Sequence, residues 1–278
     1  MKKTSYFKIG SGSRKGFVSK FQDKELKEVI NQNKISKLRN KIITKSSENM
    51  NELIDNCISL TITSPPYNIG KDSDEDLSDD EYWKMITKVF EEVYRVTESG
   101  GRLVVNVANL GRKPYIPFSK YFIEIILEIG FLMRGEIIWQ KSKGANANFA
   151  WGSWLSPSNP VIRDIHEYCL VFSKDSMKNS AKGEPTIKKE EFMESTLSIW
   201  NITPARAKKI GHPAPFPVEL PKRFINLYSF KNDLILDPFI GSGSTAIAAK
   251  LLDRDYIGYE LNPEYVKIAK NRLKNETS

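Results

Sequence analysis

The segment Asp233–Lys250, "DLILDPFIGSGSTAIAAK", decides the fold class of this chain. A strand-like apolar run ends at Asp237, and a loop with Gly241 and Gly243 then precedes a run of helix-forming residues. A glycine loop between a strand and a helix is typical of α/β sheets that bind a nucleotide-like ligand at the carboxyl end of a strand. We therefore expect a ligand site at this loop. The alternative is a loop that only caps the helix.

Outward from this segment, strand-like and helix-like stretches alternate, which predicts an α/β layer structure with a mainly parallel sheet. The stretch "SGG" (99–101) is expected to cap a helix, and 175–206 is expected to be irregular. The predicted strands are 41–44, 58–63, 102–109, 131–141, 165–174, 233–237 and 255–261. The predicted helices are 49–55, 81–97, 116–130, 216–229, 244–252 and 262–275.

Composition restricts the functional class. The chain has 278 residues, enough for one sizeable core, and no apolar run approaches the ~20 residues that span a bilayer. Cys57 and Cys169 are the only cysteines, both in apolar text, which indicates buried thiols in a reducing compartment. With two histidines and no CxxC pair, we expect no structural zinc site, and we expect neither a metal nor a membrane partner.

The net charge of +8 favours a polyanionic partner such as nucleic acid. Its distribution is uneven, because basic residues cluster at 15–45 and 178–209 while 72–81 is acidic. The alternative is that the charge only maintains solubility.

Two carboxylates indicate the ligand of the glycine loop. Asp237 directly precedes the loop, and Glu260 ends the next predicted strand about 20 residues on. No lysine follows Gly243, so the loop is not a P-loop. A carboxylate beside the loop suits a cationic ligand tail better than phosphates. S-adenosylmethionine fits, with its ammonium group at Asp237 and its ribose hydroxyls at Glu260.

Two motifs resemble those of the DNA methyltransferases that modify exocyclic amines of bases. The stretch "TSPPYNIG" (Thr63–Gly70) is similar to their motif IV, and "DPFIGSGSTAIAA" (Asp237–Ala249) is similar to their motif I. The amine-site motif comes first and the cofactor loop last, which resembles the β-type, circularly permuted branch. The likeness covers about residues 41–278, including "GGRLVVNVAN", "WGSWLSPSNPVIRDIHEYCLVFSK" and "HPAPFPVELPKRFI".

The resemblance implies a doubly wound α/β fold with loop insertions for DNA recognition, S-adenosylmethionine as cofactor and double-stranded DNA as substrate. It implies an N-terminal extension over 1–40, a catalytic domain over 41–278 and a DNA-recognition segment within 142–206. The implied cofactor-binding residues are Asp237, Pro238, Phe239, Gly241, Gly243, Ser244, Thr245, Glu260, Asn262, His212 and Phe216.

The implied catalytic residues are Ser64, Pro65, Pro66 and Tyr67. A base amine is a poor nucleophile, because its lone pair is delocalised into the ring. Acceptors aimed at its N–H groups, here the Ser64 hydroxyl and the Pro65 carbonyl, draw the nitrogen towards tetrahedral geometry as charge develops. Tyr67 offers a flat face to a flipped base. The alternative is a proline turn with a core tyrosine.

In the family that the chain resembles, serine at the position of Ser64 is more typical of enzymes that modify cytosine N4, and aspartate is commoner in members that modify adenine. We therefore expect cytosine N4 as the target, in the cytoplasm of a prokaryote, at the nucleoid, beside a cognate restriction endonuclease. The alternatives are adenine N6, an amine in RNA or protein, and a DNA-binding module whose cofactor site is not catalytic. A carbon-5 mechanism is disfavoured, because neither Cys57 nor Cys169 follows a proline.

The expected DNA contacts are Trp151, Trp154, Arg163, Lys208 and Lys209. Aromatic rings stack on bases or fill a vacated space, and basic side chains contact phosphates or guanine. The alternative is that the tryptophans only anchor a loop to the core. One departure from the family pattern is "KSS" at 45–47, where relatives often carry Gly-Asp near the cofactor adenine.

Overall fold

The structure is a computed structural model that describes residues 35–67, 77–110, 114–141, 152–205, 210–211 and 215–277. Two compact units divide the chain, residues 1–38 and residues 39–278. Only 35–38 of the first unit lie in the described ranges, so the extension over 1–40 stays a prediction. All elements named below belong to the second unit.

The second unit alternates strands and helices, as the sequence predicts. The strands are β1 (Lys41–Ile43), β2 (Ile58–Thr63), β3 (Thr97–Val107), β4 (Leu132–Gln140), β5 (His166–Ser173), β6 (Ile199–Asn201), β7 (Leu234–Asp237) and β8 (Asp255–Tyr259). The helices are α1 (Asp79–Val96), α2 (Phe118–Ile129), α3 (Lys189–Ser195), α4 (Glu219–Tyr228), α5 (Ser244–Leu251) and α6 (Pro263–Glu276).

Within the described ranges the strands form one eight-stranded sheet in the order β1-β8-β7-β2-β3-β5-β4-β6. Neighbouring strands are parallel except where β5 pairs antiparallel with β3 and with β4. This confirms the predicted α/β class and the mainly parallel sheet. The described part of the chain contains no helix that is long and apolar enough to cross a membrane.

Local sequence explains where the principal helices begin and end. Ser78 caps α1 in a capping box, in which the Ser78 and Glu81 side chains each bond the other residue's backbone N–H. Helix α6 starts with Pro263 after the cap Asn262, whose side chain accepts from the Glu264 N–H. Helix α2 stops at Gly130, whose φ of +116° is accessible to glycine at little cost.

The helices cover both faces of the sheet. Strand β2 is buried along its whole length, and its even-numbered apolar residues Leu60 and Ile62 join a core that includes α4, α5 and α6. Helix α1 buries Phe90, whose ring packs edge-on against Phe122 of α2. The β-branched isoleucines and threonines made β2 recognisable as a strand in the sequence. Its odd-numbered residues are polar but also buried, namely Ser59, Thr61 and Thr63.

The chain winds outward in two directions from the centre of the sheet. The β7–α5–β8 unit moves one way along the strand order, and the β2–α1–β3 unit moves the other way. Crossovers that diverge in this manner leave a crevice outside the carboxyl ends of the two central strands. The switch point therefore lies between the ends of β7 and β2, at Asp237 and Thr63.

Three local predictions were wrong. Residues 49–55 form turns and not a helix, because the Met50 and Leu53 backbones are engaged by Glu92 and Arg95 of α1. The "SGG" stretch lies inside β3, which starts at Thr97 directly after α1, and does not cap the helix. The supposedly irregular segment 175–206 contains α3 and β6.

Gly258 in β8 supplies a stability test, because its missing side chain makes room for Ile240. A Cβ at Gly258 would overlap the Ile240 side chain, whose own Cβ would lie only 2.9 Å away. We expect Gly258→Ala to lower the free energy of unfolding by about 1–3 kcal/mol through overpacking. Urea unfolding followed by circular dichroism measures this value.

Gly135 in β4 is the matched control, because a Cβ there would meet no atom within 4 Å. Gly135→Ala should change the free energy of unfolding by no more than about 0.5 kcal/mol. Equal effects of the two substitutions would contradict the packing explanation.

Candidate active site at the carboxyl edge of the sheet

Asp237 joins the two central strands at the switch point. Its Oδ1 accepts hydrogen bonds from the Thr63 hydroxyl at 2.8 Å and from the Phe239 N–H at 3.1 Å. Its Oδ2 accepts from the Thr245 hydroxyl at 2.6 Å. The carboxylate therefore connects the end of β2, the end of β7 and the first turn of α5.

The Asp237 carboxyl is buried, with a relative exposure of 1%. Burial raises its pKa from 3.8 to about 6, while the donors from Thr245, Thr63 and Phe239 oppose the increase. Desolvation disfavours a charge more strongly than these hydrogen bonds favour it. Both oxygens already have protein partners, so Asp237 has an internal role, and its contact to a ligand ammonium stays a prediction.

The glycine loop adopts backbone conformations that glycine accommodates best. Gly241 has φ +47° and Gly243 has φ +84°, and both are buried. A Cβ at Gly243 would lie 2.9 Å from the Ala269 Cβ of α6, so this position also needs glycine for helix packing. The loop thus delivers the backbone N–H groups at the start of α5 to the switch point.

Glu260 stands at the end of β8, one strand from Asp237. Its carboxylate accepts from the Gly241 N–H at 3.0 Å and from the Asn262 N–H at 2.8 Å. Burial raises the pKa of Glu260, and the backbone donors oppose that rise. The Leu261 backbone is a third donor to this carboxylate. A carboxylate has about four acceptor positions, so Glu260 retains capacity to accept from a ligand hydroxyl.

The segment before α4 also reaches the loop. The Ser244 hydroxyl donates to the Phe216 carbonyl at 2.9 Å, which places Phe216 beside the first turn of α5. The Arg272 guanidinium donates to the Ser242 carbonyl at 2.8 Å from the opposite side. Of the predicted cofactor residues, His212 lies outside the described residues.

The Ser-Pro-Pro-Tyr corner follows β2 at the same edge. The Tyr82 hydroxyl of α1 donates to the Pro66 carbonyl at 2.6 Å, and the Ala108 N–H donates to the Tyr67 hydroxyl at 2.7 Å. The Tyr67 ring packs edge-on against Phe118, with centroids 5.8 Å apart. The neighbouring elements thereby hold the second half of the corner in place.

Burial raises the pKa of the Tyr67 phenol well above its usual range, and the negative charge of Glu167 contributes. A hydrogen bond with the Ser64 side chain opposes the increase, so these two corner residues interact. Tyr67 therefore stays a neutral phenol at physiological pH. Ser64 is only half-buried, and no donor from the described residues occupies the Pro65 carbonyl.

Sequence reasoning missed several groups at this edge. Thr63 opens the motif "TSPPYNIG", but no pattern in the sequence indicated its hydrogen bond to Asp237. Asn106 at the end of β3, Lys141 after β4 and Glu167 at the start of β5 form a hydrogen-bonded cluster. Their only signal was polarity within or beside apolar strands.

The predicted DNA contacts are partly described. Trp154 is 65% exposed and Arg163 is exposed, and both lie on the 152–165 loop that leads into β5 at this edge. Trp151, Lys208 and Lys209 lie outside the described residues. The interaction of this loop with DNA stays a prediction.

Comparison with known proteins decides the family. The model of the N6/N4 methyltransferase family, described as DNA methylase, matches residues 58–271. The chain belongs to this family.

Individual relatives support the family assignment. Type II methyltransferase M.MthZI of Methanothermobacter thermautotrophicus is 31% identical, with 87% of this chain and 78% of that protein aligned. M.MjaI of Methanocaldococcus jannaschii is 30% identical, with 84% of this chain and 90% of that protein aligned.

Solved structures agree on the fold. TTHA0409 from Thermus thermophilus, complexed with S-adenosyl-L-methionine, superposes with a TM-score of 0.69 at 26% identity, over 85% of this chain and 94% of that chain. PvuII DNA methyltransferase, described as cytosine-N4-specific, superposes with a TM-score of 0.67 at 21% identity, over 85% of this chain and 90% of that chain. The latter likeness concerns the fold alone.

This N6/N4 DNA methylase uses S-adenosylmethionine as its cofactor. The residues at this edge fit the molecule, because Glu260 retains acceptor capacity for a ribose hydroxyl and the glycine loop lets the backbone approach closely. The described ranges contain no cluster of three or more side chains able to hold a metal ion.

The Thr63–Asp237 hydrogen bond can be tested against a matched residue in the same strand. Thr63→Val removes a donor from a buried carboxylate, and we expect a loss of about 1–3 kcal/mol in the free energy of unfolding together with slower methyl transfer. The Thr61 hydroxyl is buried and bonds to none of the described residues, so Thr61→Val should be neutral or stabilising. Urea unfolding and a tritiated methyl-transfer assay measure both effects. Equal stability and equal transfer rates for Thr63→Val and Thr61→Val would contradict the role given to the Thr63–Asp237 hydrogen bond.

The raised pKa of Asp237 predicts a pH dependence of stability. Between the unfolded value of 3.8 and the folded value of about 6, the folded protein holds a proton that the unfolded chain has lost. Raising the pH through this window therefore lowers the free energy of unfolding. The free energy of unfolding of the wild type, measured relative to that of Asp237→Asn, should fall by about 2 kcal/mol from about pH 4 to about pH 6. A difference between the two proteins that does not vary with pH would refute the shift.

Proposed function

We propose that this protein transfers a methyl group from S-adenosylmethionine to N4 of a flipped cytosine in duplex DNA, within a restriction–modification system. The observation that carries the proposal is the corner at Ser64. Its neutral hydroxyl and the Pro65 carbonyl lie at the end of β2, the strand next to β7 and its glycine loop. The Type II names of the relatives support the restriction–modification setting.

The corner supplies what an exocyclic amine needs. Its nitrogen becomes nucleophilic only as its lone pair leaves conjugation with the ring, and acceptors at its N–H groups favour that change. Ser64 and Pro65 are the acceptors, while Tyr82 satisfies the adjacent Pro66 carbonyl. Ser64 acts by position and is not a nucleophile.

The Tyr67 ring is the proposed platform for the flipped base. Its hydroxyl is fixed by Ala108 and its edge by Phe118, so the ring is preorganised before DNA binds. A base stacked on this ring would present its amine to Ser64.

The cofactor residues hold the other reactant. When bound, S-adenosylmethionine supplies a methyl group on a sulfonium sulfur, which is open to in-line displacement by the amine. Glu260 is proposed to accept from the ribose hydroxyls, and Phe216 is proposed to cover the methionine end. The hydrogen bonds from Thr63 and Thr245 to Asp237 fix the end of β2 relative to the glycine loop. The proposed amine site and cofactor site are thereby held at a fixed distance, which favours direct transfer.

DNA recognition is assigned to residues within 142–206, as the resemblance implies. The loop at 152–165 exposes Trp154 and Arg163. The exposed lysines further along are not included, because their segment runs along the opposite edge of the sheet. There Lys178 lies beside Gly100 of β3, and the Glu184 carbonyl accepts from the Lys231 N–H before β7. The excluded lysines are Lys178, Lys182, Lys188 and Lys189. Binding should weaken steeply with salt. A chromosomal substrate implies a cytoplasmic location at the nucleoid.

Adenine N6 is the second candidate target, because the matching family covers both amines. Mass spectrometry of nucleosides from DNA methylated by the protein separates the two. N4-methylcytosine supports the proposal, and N6-methyladenine replaces it with the second candidate. A protein that binds DNA and cofactor without transferring a methyl group would refute both.

Ser64→Ala tests the amine site. We expect kcat to fall by about 100-fold or more, as for loss of one preorganised transition-state partner. The affinity for S-adenosylmethionine, measured by calorimetry, should be unchanged, because Ser64 is not among the cofactor residues.

Ser59→Ala is the control, since Ser59 lies in the same strand at its opposite end. This variant should retain transfer at temperatures below its unfolding transition. A wild-type kcat for Ser64→Ala would contradict the proposal that Ser64 accepts a hydrogen bond from the reacting amine.

A further inference from the structure

A polar cluster lies at the carboxyl edge beside the Ser-Pro-Pro-Tyr corner. Glu167 Oε2 accepts from the Asn106 side-chain amide at 2.6 Å, and Glu167 Oε1 pairs with the Lys141 ammonium. Asn106 Oδ1 in turn accepts from the Cys169 thiol at 3.3 Å. Three neighbouring strands, β3, β4 and β5, bring these groups together.

The cluster is largely withdrawn from water. The side chains of Glu167 and Lys141 are 15% and 28% exposed, and Asn106 is 3% exposed. A desolvated ion pair gives a fold little net stability, because the loss of hydration offsets the attraction. Stability therefore does not explain why this ion pair is present, and a functional role is the alternative.

The cluster borders the proposed base platform. Asn106 lies two residues before Ala108, whose N–H donates to the Tyr67 hydroxyl at 2.7 Å. Glu167 is close enough for its charge to act on the Tyr67 phenol. A base stacked on Tyr67 would therefore have its ring edge near this cluster.

The Lys141 ammonium has more N–H groups than its ion pair uses. Its ammonium carries three N–H groups, of which Glu167 takes one, and it lies 5.4 Å from the centroid of the Trp139 ring. The Lys141 backbone N–H donates to the Ile165 carbonyl at 2.8 Å, which fixes the start of this side chain at the sheet edge.

We propose that Lys141, held by Glu167, donates a hydrogen bond to the ring nitrogen next to the reacting amine of the flipped base. The inference rests on the proposed function and adds a residue that selects the base. In cytosine and adenine that nitrogen is an unprotonated acceptor. In thymine and guanine the corresponding nitrogen carries a hydrogen and would oppose an ammonium.

Glu167 has a defined part in this arrangement. A lone ammonium at the ring nitrogen would draw the amine lone pair into the ring and would repel the positive charge that develops on the amine during transfer. The Glu167 carboxylate offsets the charge of the ammonium, and so weakens both effects, while it orients the donor. Glu167 is thus a positioning residue that acts through Lys141.

The first experiment compares Lys141→Met and Glu167→Gln on duplex DNA that contains the site methylated by the wild type, found by sequencing its modified DNA. Loss of one charge-assisted hydrogen bond should lower kcat/KM by about 10- to 100-fold in Lys141→Met. Glu167→Gln should lower it less, and the double variant should be no worse than Lys141→Met.

The matched controls are Lys120→Met and Glu124→Gln, because Lys120 and Glu124 form an exposed ion pair on α2 at 3.5 Å. Both controls should keep wild-type kcat/KM. Cofactor affinity of Lys141→Met should also match the wild type. Its transfer rate is compared below its own unfolding temperature, because loss of the ammonium leaves the Glu167 carboxylate without its counter-charge and lowers stability. A kcat/KM for Lys141→Met within about threefold of the wild type would overturn the proposal, since a direct contact to the base is worth more.

Chemical rescue separates a direct contact from a structural role. Ethylamine added to Lys141→Ala should restore transfer in proportion to its concentration, because it replaces the missing N–H donor. Tetramethylammonium at equal ionic strength has no N–H group and should restore nothing. Failure of ethylamine to restore activity, or equal restoration by both cations, would overturn the proposal.

The product nucleoside tests the proposed function independently. If Lys141→Met is impaired and the product is N6-methyladenine, cytosine is the wrong target, but the role of Lys141 stands, because adenine N1 adjoins the amine as cytosine N3 does. If the product is N4-methylcytosine and Lys141→Met is fully active, the proposed function stands and this inference fails.

Discussion

The structure of the site depends on one buried carboxylate. Asp237 accepts hydrogen bonds from Thr63, Thr245 and Phe239, and so joins the ends of β2 and β7 to the start of α5. A buried charge without such donors is strongly unfavourable, so the three elements must meet with the correct geometry for the fold to tolerate it. The Ser-Pro-Pro-Tyr corner and the glycine loop, the proposed sites of the amine and the cofactor, are consequently parts of one assembly, and their separation is set before any ligand binds.

The remaining groups at the edge divide into two sets around this link. On one side, the Gly241 N–H donates to Glu260 at the end of the crevice that is proposed to hold the cofactor. On the other side, Tyr82 and Ala108 hold Pro66 and Tyr67 through hydrogen bonds. The rigid strands carry the groups that need accurate placement, whereas the exposed loop at 152–165 carries the residues assigned to DNA.

Sequence patterns predicted the elements whose reasons are local. Strand β2 consists of β-branched residues with leucine and serine, its apolar side chains at alternate positions, and α1 has helical periodicity, so both were recognisable. The turns at 49–55 were not, because Glu92 and Arg95 of a different element hold their backbone. Strand β6 was also missed, since its three residues become a strand only by pairing with β4, with Trp200 buried against Phe224.

The sequence by itself determined the α/β class, the glycine loop, the Ser64–Tyr67 corner and their order along the chain, because each depends on a pattern of adjacent residues. Only the tertiary structure decided which distant groups meet. Thr63 and Asp237 are 174 positions apart, and Asn106 and Glu167 are 61 positions apart. Such contacts depend on strand order and register, which arise from crossover handedness and burial over the whole sheet and leave no local signal in the chain.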